Sequence, residues 1–183
     1  VRELLEALGV ERVNLVGASG GGLVATEVAA RWPDRVANLV LIASAAAEHR
    51  PSSPLAAFVA AEEELLEAGD IDGAVELNLR TWVQPDVPEP TRTLLGQMQC
   101  RAFELQLAMD DVEERAVQVD PARITARTLL ISGARDFADF RHIAERLAAR
   151  IPGAEHRHLD WAGHLPTVER PEEMDRLILD FLD

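Results

Sequence analysis

Hydrophobic and polar residues follow two alternating patterns along the chain. Short, almost continuous apolar runs are typical of strands buried in a parallel sheet, whereas apolar residues three or four positions apart indicate amphipathic helices. The runs predict strands over residues 12–16, 36–42, 127–133 and 155–159. The helical spacing predicts helices over residues 2–8, 20–32, 139–150 and 171–182. Because strands and helices alternate, we expect an α/β fold with a parallel sheet whose first two strands are central and buried on both faces.

The middle of the chain has helical spacing without a strand pattern. Three helices are expected, over residues 55–68, 70–82 and 91–114, with Asp70 or Asp72 as the N-cap of the second. Proline and serine residues at 51–54 precede these helices and mark a boundary. We therefore predict a first core part over residues 1–50, a helical cap over 51–122 and a second core part over 123–183.

The first predicted strand ends in a Gly-x-Ser-x-Gly sequence, Gly17-Ala18-Ser19-Gly20-Gly21. A serine hydroxyl is a weak nucleophile, so it must be lifted clear of the backbone, beside a base and beside donors for an oxyanion. A sharp strand-to-helix turn does this, and the glycines two positions before and after the serine let the strand and the helix pass closely. A phosphate-binding turn is the alternative, but no lysine follows the glycines as a P-loop requires. Ser19 is therefore the candidate nucleophile.

Two further polar residues follow the ends of predicted strands. Asp136 comes just after the strand over 127–133, and His164 comes after the strand over 155–159. Side chains beyond the carboxyl ends of parallel strands converge on one edge of the sheet, where Ser19 also lies. A serine needs a base to accept its proton, and an imidazole needs a carboxylate to fix its tautomer. The chain order Ser19, Asp136, His164 is the order expected with a nucleophile elbow.

Each of these residues has competitors. Asp136 could instead cap a helix or pair with Arg135, and Asp139 is a rival carboxylate that more naturally caps the helix after it. The acidic runs at 62–64 and 110–111 are interpreted as charged helix faces, and no cluster has metal-ligand spacing. The remaining histidines lie at a boundary, within a helix, or on the last, edge-like strand, where exposure to solvent is the simpler interpretation: His49, His142, His156 and His158.

The composition restricts the partners of the chain. A formal charge of −14 argues against nucleic acid and anionic membranes, because both need a basic face. The single cysteine, Cys100, forms no internal disulfide, which fits a reducing compartment. No apolar run approaches the ~20 residues of a membrane span and no signal peptide is visible, so a cytoplasmic location is expected. The chain opens at Val1 in mid-helix, from which we expect a natural N-terminal part to precede it.

The stretches around these residues resemble those of the α/β-hydrolase-fold superfamily. The chain is similar to the C-terminal two-thirds of such an enzyme and, within the superfamily, to small bacterial hydrolases of the 3-oxoadipate enol-lactonase-like type. The resemblance implies Ser19 as nucleophile, His164 as general base and then acid, and Asp136 as the orienting carboxylate. It also implies the Gly20 N–H as one oxyanion donor, while a loop upstream of the first helix supplies the second donor in the family. The residues that carry the resemblance are 15–21, 33–36, 133–136, 163–166 and 169–172.

The expected reaction is hydrolysis of a carboxylic ester or lactone through an acyl-enzyme, with no cofactor and no metal. Carbon–carbon bond hydrolysis and cofactor-free perhydrolysis use the same triad and are kept as alternatives, as are a non-catalytic binding protein and an inactive fragment. The expected partner is a small-molecule substrate, and a homo-oligomer is left open. Candidate pocket residues lie on the cap helices, where packing between helices is the alternative interpretation for most of them: Phe58, Leu77, Trp82, Met98, Phe103 and Met109.

Overall fold

The computed structural model describes residues 1–109 and 117–183. Within these residues one sheet has four strands in the order β1-β2-β3-β4, and every neighbouring pair is parallel. The predicted α/β fold with a parallel sheet is confirmed, because parallel neighbours require crossover connections and helices provide them here. The strands are β1 Val13–Ala18, β2 Val36–Ile42, β3 Arg127–Gly133 and β4 Glu155–Leu159.

Helices of the described residues accompany this sheet. The helix predicted over 91–114 ends at Leu107, and residues 110–114, with the acidic pair 110–111, lie outside the described residues. A short helix, α7, lies between β4 and the last helix, where no helix was predicted. In the described part of the chain no helix is long and apolar enough to cross a membrane. The helices are α1 Arg2–Ala7, α2 Gly20–Arg31, α3 Ser53–Glu67, α4 Ile71–Trp82, α5 Glu89–Leu107, α6 Ala138–Arg150, α7 Pro166–Glu169 and α8 Pro171–Leu182.

Two apolar clusters cover the two faces of the sheet. On one face, Leu39 and Leu130 pack with apolar residues of α2 and α6. On the other face, Val40 and Ile131 pack with Met174 of α8. β2 and β3 are thus buried on both faces, as their continuous apolar runs predict. This burial fixes the carboxyl edge of the sheet, from which the candidate site residues project.

β1 differs from the prediction that the first two strands are buried on both faces of the sheet. Its positions alternate between buried or half-buried and exposed, and Val16 is 46% exposed. Leu15 packs against the cluster that contains α2, whereas Val16 points to the opposite, solvent-facing side. Among the described strands β1 pairs with β2 alone. The prediction was wrong because an apolar run does not distinguish a central strand from one at the side of a sheet.

The helices α3, α4 and α5 lie between β2 and β3 in the chain, and α4 packs against both of the others. Asp70 is the N-cap of α4, and its carboxylate accepts a hydrogen bond of 2.9 Å from the Gly73 N–H. This bond decides between the two predicted caps in favour of Asp70 over Asp72. It satisfies one of the backbone donors that the first turn of a helix leaves free.

Candidate active site

Ser19 lies in the turn between β1 and α2 with a backbone conformation that is rare for a residue with a side chain. Its φ is 48° and its ψ is −121°. Such strain persists only where the surroundings hold it, and here backbone hydrogen bonds do so. The Ser19 N–H donates to the Ile42 carbonyl at 3.0 Å, and the Ser19 carbonyl accepts from the N–H groups of Gly22 at 2.9 Å and Ala45 at 3.0 Å. The end of β2 and the residues after it therefore hold the serine in its turn.

Two glycines make the close packing of this turn possible. A Cβ at Gly17 would lie 2.5 Å from the Gly21 carbonyl oxygen, so the strand has no room for a side chain there. A Cβ at Gly21 would meet nothing within 4 Å. The second tight position is instead Gly22, where a Cβ would meet the side chain of Ser44. The predicted role of Gly17 is confirmed, because a side chain there would clash with the helix. Gly21 contributes to this close approach through its backbone carbonyl, and a side chain at Gly21 would not clash.

The first turn of α2 presents free backbone donors beside the serine. The helix begins at Gly20, and within the described residues the Gly20 and Gly21 N–H groups have no backbone acceptor. The first N–H groups of a helix lack intrahelical partners and carry the positive end of the helix dipole. Gly20 also lines the same cleft as Ser19. Its N–H is therefore available to an oxyanion formed beside Ser19.

The carboxylate of Asp136 and the ring of His164 form a buried pair. The Asp136 Oδ2 lies 2.8 Å from the His164 Nδ1, and the two side chains are only 1% and 8% exposed. The other oxygen of Asp136 accepts a hydrogen bond of 2.7 Å from the Phe137 N–H. Because Nδ1 donates to the carboxylate, Nε2 is the ring atom left to accept a proton. Asp136 pairs with His164 and not with Arg135.

Two aromatic rings contact the imidazole of His164. The centroids of Trp82, at the end of α4, and Phe140, in α6, each lie 4.4 Å from the centroid of the histidine ring. Trp82 also contacts Phe58 of α3, with ring centroids 4.8 Å apart. These contacts restrict rotation of the imidazole. They also connect the helices between β2 and β3 directly to the histidine.

Glu169, in α7, fixes the backbone on both sides of His164. One carboxylate oxygen accepts from the Gly163 N–H at 2.8 Å, and the other accepts from the Leu165 N–H at 3.3 Å. Burial raises the pKa of the Glu169 carboxyl, and the two backbone donors partly offset this rise. No role was predicted for this residue from the sequence. The available signal was a carboxylate five positions after the histidine and two positions before Pro171.

Asp139 does not cap α6 as predicted, because it lies inside the helix after the N-cap residue Phe137. It is 2% exposed, and its carboxylate bonds to His49 Nε2 at 2.6 Å, to the Ser52 hydroxyl at 2.6 Å and to the Ser52 N–H at 2.8 Å. Burial opposes ionisation of Asp139, but the bonds from His49 and Ser52 outweigh it and lower the pKa to about 2. The carboxylate therefore joins α6 to the segment that leads into α3.

His156 is half-buried, contrary to its interpretation as a solvent-exposed residue, whereas His158 is exposed as expected. Both rings share the buried hydroxyl of Ser132 in β3, at 2.8 Å from His156 Nε2 and 2.9 Å from His158 Nδ1. Burial lowers the pKa of His156. Neither ring belongs to the described residues that line the cleft beside Ser19. The contacts therefore assign these histidines to the packing of β4 on β3.

Ser19 and His164 line one cleft of about 870 Å³ between the carboxyl edge of the sheet and the helices α3 to α5. Among the described residues no hydrogen bond joins the Ser19 hydroxyl to the His164 ring, as is common in enzymes without substrate. Leu77 is absent from the described lining, and Met109 lies 60% exposed on the surface. The other four candidate pocket residues all line the cleft: Phe58, Trp82, Met98 and Phe103.

Comparison with known proteins is consistent with this geometry. A family described as alpha/beta hydrolase fold matches residues 1–127, which is more than half of the chain. The chain belongs to the alpha/beta hydrolase fold family. Its relatives and structural neighbours are hydrolase enzymes, so it is an α/β-fold hydrolase, and hydrolysis of small molecules is the activity that the family supports.

Three proteins illustrate the similarity of this α/β-fold hydrolase to known ones. The monoacylglycerol lipase abhd6-A of Xenopus laevis is 29% identical over 199 residues, which cover 100% of this chain and 58% of the lipase. The structure of a hydrolase from Pseudomonas aeruginosa PA01 is 29% identical with a TM-score of 0.75, covering 99% of this chain and 68% of that one. The enol-lactonase from Burkholderia xenovorans LB400 is 26% identical with a TM-score of 0.72, covering 98% and 68%.

Proposed function

We propose that this protein is a serine hydrolase that cleaves a carboxylic ester or lactone of a small molecule through an acyl-enzyme. The proposal is carried by one observation: a strained serine and a carboxylate-bound histidine line the same cleft. A serine in such a turn is typical of a nucleophile elbow. The similarity to an enol-lactonase supports a lactone as one form of the substrate.

The proposed reaction has two steps. In the first, His164 Nε2 takes the hydroxyl proton of Ser19 while the Ser19 oxygen attacks the carbonyl carbon of the substrate. The oxyanion that forms faces the Gly20 N–H. Collapse of this intermediate breaks the bond to the alcohol oxygen, which receives the proton from His164, and leaves an acyl group on Ser19. In the second step His164 deprotonates a water that attacks the acyl carbon, and the carboxylic acid leaves as Ser19 regains its proton. Asp136 holds the imidazole and stabilises its charged form throughout.

The helices between β2 and β3 are proposed to form the cap that receives the substrate. Their described side chains provide most of the lining of the cleft, and Trp82 in addition touches the histidine ring. Small-molecule sites are concave and mostly apolar, with few polar groups, and this cleft has that character. The proposed pocket residues are Phe58, Trp82, Met98 and Phe103.

Labelling with a fluorophosphonate tests the proposal. The wild-type protein should gain the mass of one probe, peptide mapping should place it on Ser19, and both Ser19→Ala and His164→Ala should abolish it. Ser53→Ala removes an exposed hydroxyl at the start of α3 and is the matched control, in which labelling should persist. Hydrolysis of short-chain esters and lactones is then measured on the same four proteins. Labelling of a folded protein at another residue, or labelling that survives Ser19→Ala, would overturn the proposal.

A further inference from the structure

Among the described residues that line the cleft beside Ser19, one carries a carboxylate, and the rest of this lining is mainly apolar. The Glu62 side chain, in α3, lines the cleft. Leucine, valine, phenylalanine and tryptophan side chains of α3, α4 and α5 line it as well. The uncharged polar lining on these helices comes from Asn78, Gln99 and Gln106. Among the described lining residues there is no lysine or arginine. The charge balance of the described cleft is therefore negative.

Glu62 is held in place by a buried amide. Its Oε1 accepts a hydrogen bond from Asn78 Nδ2 of α4, and that amide group also donates to the Ala74 carbonyl at 2.9 Å. Asn78 is only 8% exposed. The neighbouring Glu63 and Glu64 are exposed, as the sequence analysis expected of the whole acidic run, whereas Glu62 is half-buried. Glu62 lies four positions after Phe58 and three after Val59, on the face of α3 that lines the cleft, and its contact with Asn78 of α4 holds it there.

We propose that Glu62 makes the cleft selective for substrates whose tail is neutral or positively charged, and that it rejects tails that carry a carboxylate. This inference rests on the proposed function, because it concerns the substrate of the same cleft. A carboxylate brought into an apolar cleft beside another carboxylate is repelled more strongly than in bulk water, since the effective dielectric constant there is lower. Discrimination against the wrong partner by an unfavourable charge is a common source of specificity.

The alternative role for Glu62 is that of a contact between α3 and α4 only. Glu62→Gln separates the two roles, because the amide oxygen of glutamine can still accept from Asn78 while the charge is lost. Glu63→Gln is the matched control, since it makes the same change of net charge one residue away, on the exposed side of the helix. The protein has a formal charge of −14, so it repels anions at long range, and Glu63→Gln measures what a change of one unit in net charge does by itself.

The experiment compares three p-nitrophenyl esters whose acyl tails have equal length and end in a methyl, a carboxylate or a trimethylammonium group. Each kcat/KM is divided by the rate of alkaline hydrolysis of the same ester, which removes differences in intrinsic reactivity. The wild-type protein should process the carboxylate ester about tenfold less well than the methyl ester, as expected for like charges several ångströms apart in a partly solvated cleft. Glu62→Gln should raise kcat/KM for the carboxylate ester about tenfold and lower it for the ammonium ester, while the methyl ester changes by less than about twofold.

A binding measurement tests the role of Glu62 independently of whether the protein hydrolyses esters. The same three tails, as p-nitroanilides, are titrated into Ser19→Ala protein with and without Glu62→Gln by calorimetry. If charge selectivity appears in binding while no ester is hydrolysed, the proposed function fails and the role of Glu62 stands. If esters are hydrolysed with equal charge preference in wild type, Glu62→Gln and Glu63→Gln, the role of Glu62 is overturned and the proposed function stands. A protein that neither hydrolyses nor binds any of the three compounds fails both.

Discussion

Asp136 and His164 are held by side chains, whereas Ser19 is held by the backbone. The histidine has a carboxylate on its Nδ1, two aromatic rings in contact with the imidazole, and neighbouring N–H groups bound by Glu169. The serine instead depends on backbone hydrogen bonds from its turn to the end of β2 and the residues after it. The strand before it is half-exposed, while β2 and β3 are buried on both faces.

This difference shows that the two sides of the site should respond to different substitutions. Changing a side chain that contacts His164 alters the orientation or the basicity of the imidazole without changing the fold of the strands. Changing the backbone geometry near Ser19 alters the turn itself, because no side chain compensates for a lost close approach. Three predictions follow this comparison from the largest effect to the smallest.

On the histidine side, Asp136→Asn should cause the largest loss. An asparagine at this position can present its NH₂ group to the ring and favour the wrong tautomer, so kcat/KM for an ester should fall about 10³–10⁴-fold while the fold is kept. The measurement is steady-state hydrolysis, together with the rate of fluorophosphonate labelling. Asp160→Asn, an exposed carboxylate at the end of β4, is the control and should leave both unchanged. A variant Asp136→Asn that retains a large part of the activity would show that the side-chain support of His164 is dispensable.

On the serine side, Gly17→Ala and Gly21→Ala should differ although both glycines belong to the same short sequence. A Cβ at Gly17 would press on the backbone carbonyl of Gly21, so we expect a loss of about 3 kcal/mol in the free energy of unfolding and a slower labelling of Ser19. Gly21→Ala meets open space in the first turn of α2, so it should be neutral or stabilise by up to about 1 kcal/mol. Urea denaturation measures both. Equal effects of the two substitutions would contradict the assignment of the tight position to Gly17.

The third prediction concerns Asp139, which links the histidine side of the site to the serine side. It lies in α6, just after Asp136, and it bonds to His49 and Ser52 in the segment that follows β2. Its pKa is lowered from 3.8 to about 2 in the folded protein, so the stabilisation is complete above about pH 4 and is lost as the pH falls towards 2. Asp139→Asn should therefore cost about 2 kcal/mol in the free energy of unfolding near pH 7, and the difference from wild type should shrink towards pH 2.

Denaturant unfolding at several pH values tests this prediction, with Asp175→Asn on the exposed face of α8 as the control. That variant should follow the wild-type curve at every pH. A constant difference between Asp139→Asn and wild type from pH 7 to pH 2 would mean that the hydrogen bonds of Asp139 do not depend on its charge.

Much of the fold could be predicted from local patterns along the chain. The observed bounds of β2, β3 and β4 are the predicted ones, because each strand is a short run of residues whose character is visible without its neighbours. The same patterns placed Ser19, Asp136 and His164 after the carboxyl ends of strands, and their assignment as a triad stays a prediction. β1 was misjudged, because its exposure depends on which strands flank it and not on its own composition.

Contacts between distant residues could not be predicted in this way. Asp139 bonds to residues 87 and 90 positions away, and nothing in either stretch indicates the other. Glu62 accepts a hydrogen bond from Asn78, 16 positions away, and no local pattern indicates that contact. The order of residues along the chain was sufficient for the α/β fold and the candidate triad, since both depend on short local signals. Tertiary structure alone decided which carboxylates contact the backbone beside His164, residues 49–52 and the cleft, because those contacts arise from packing between separate elements.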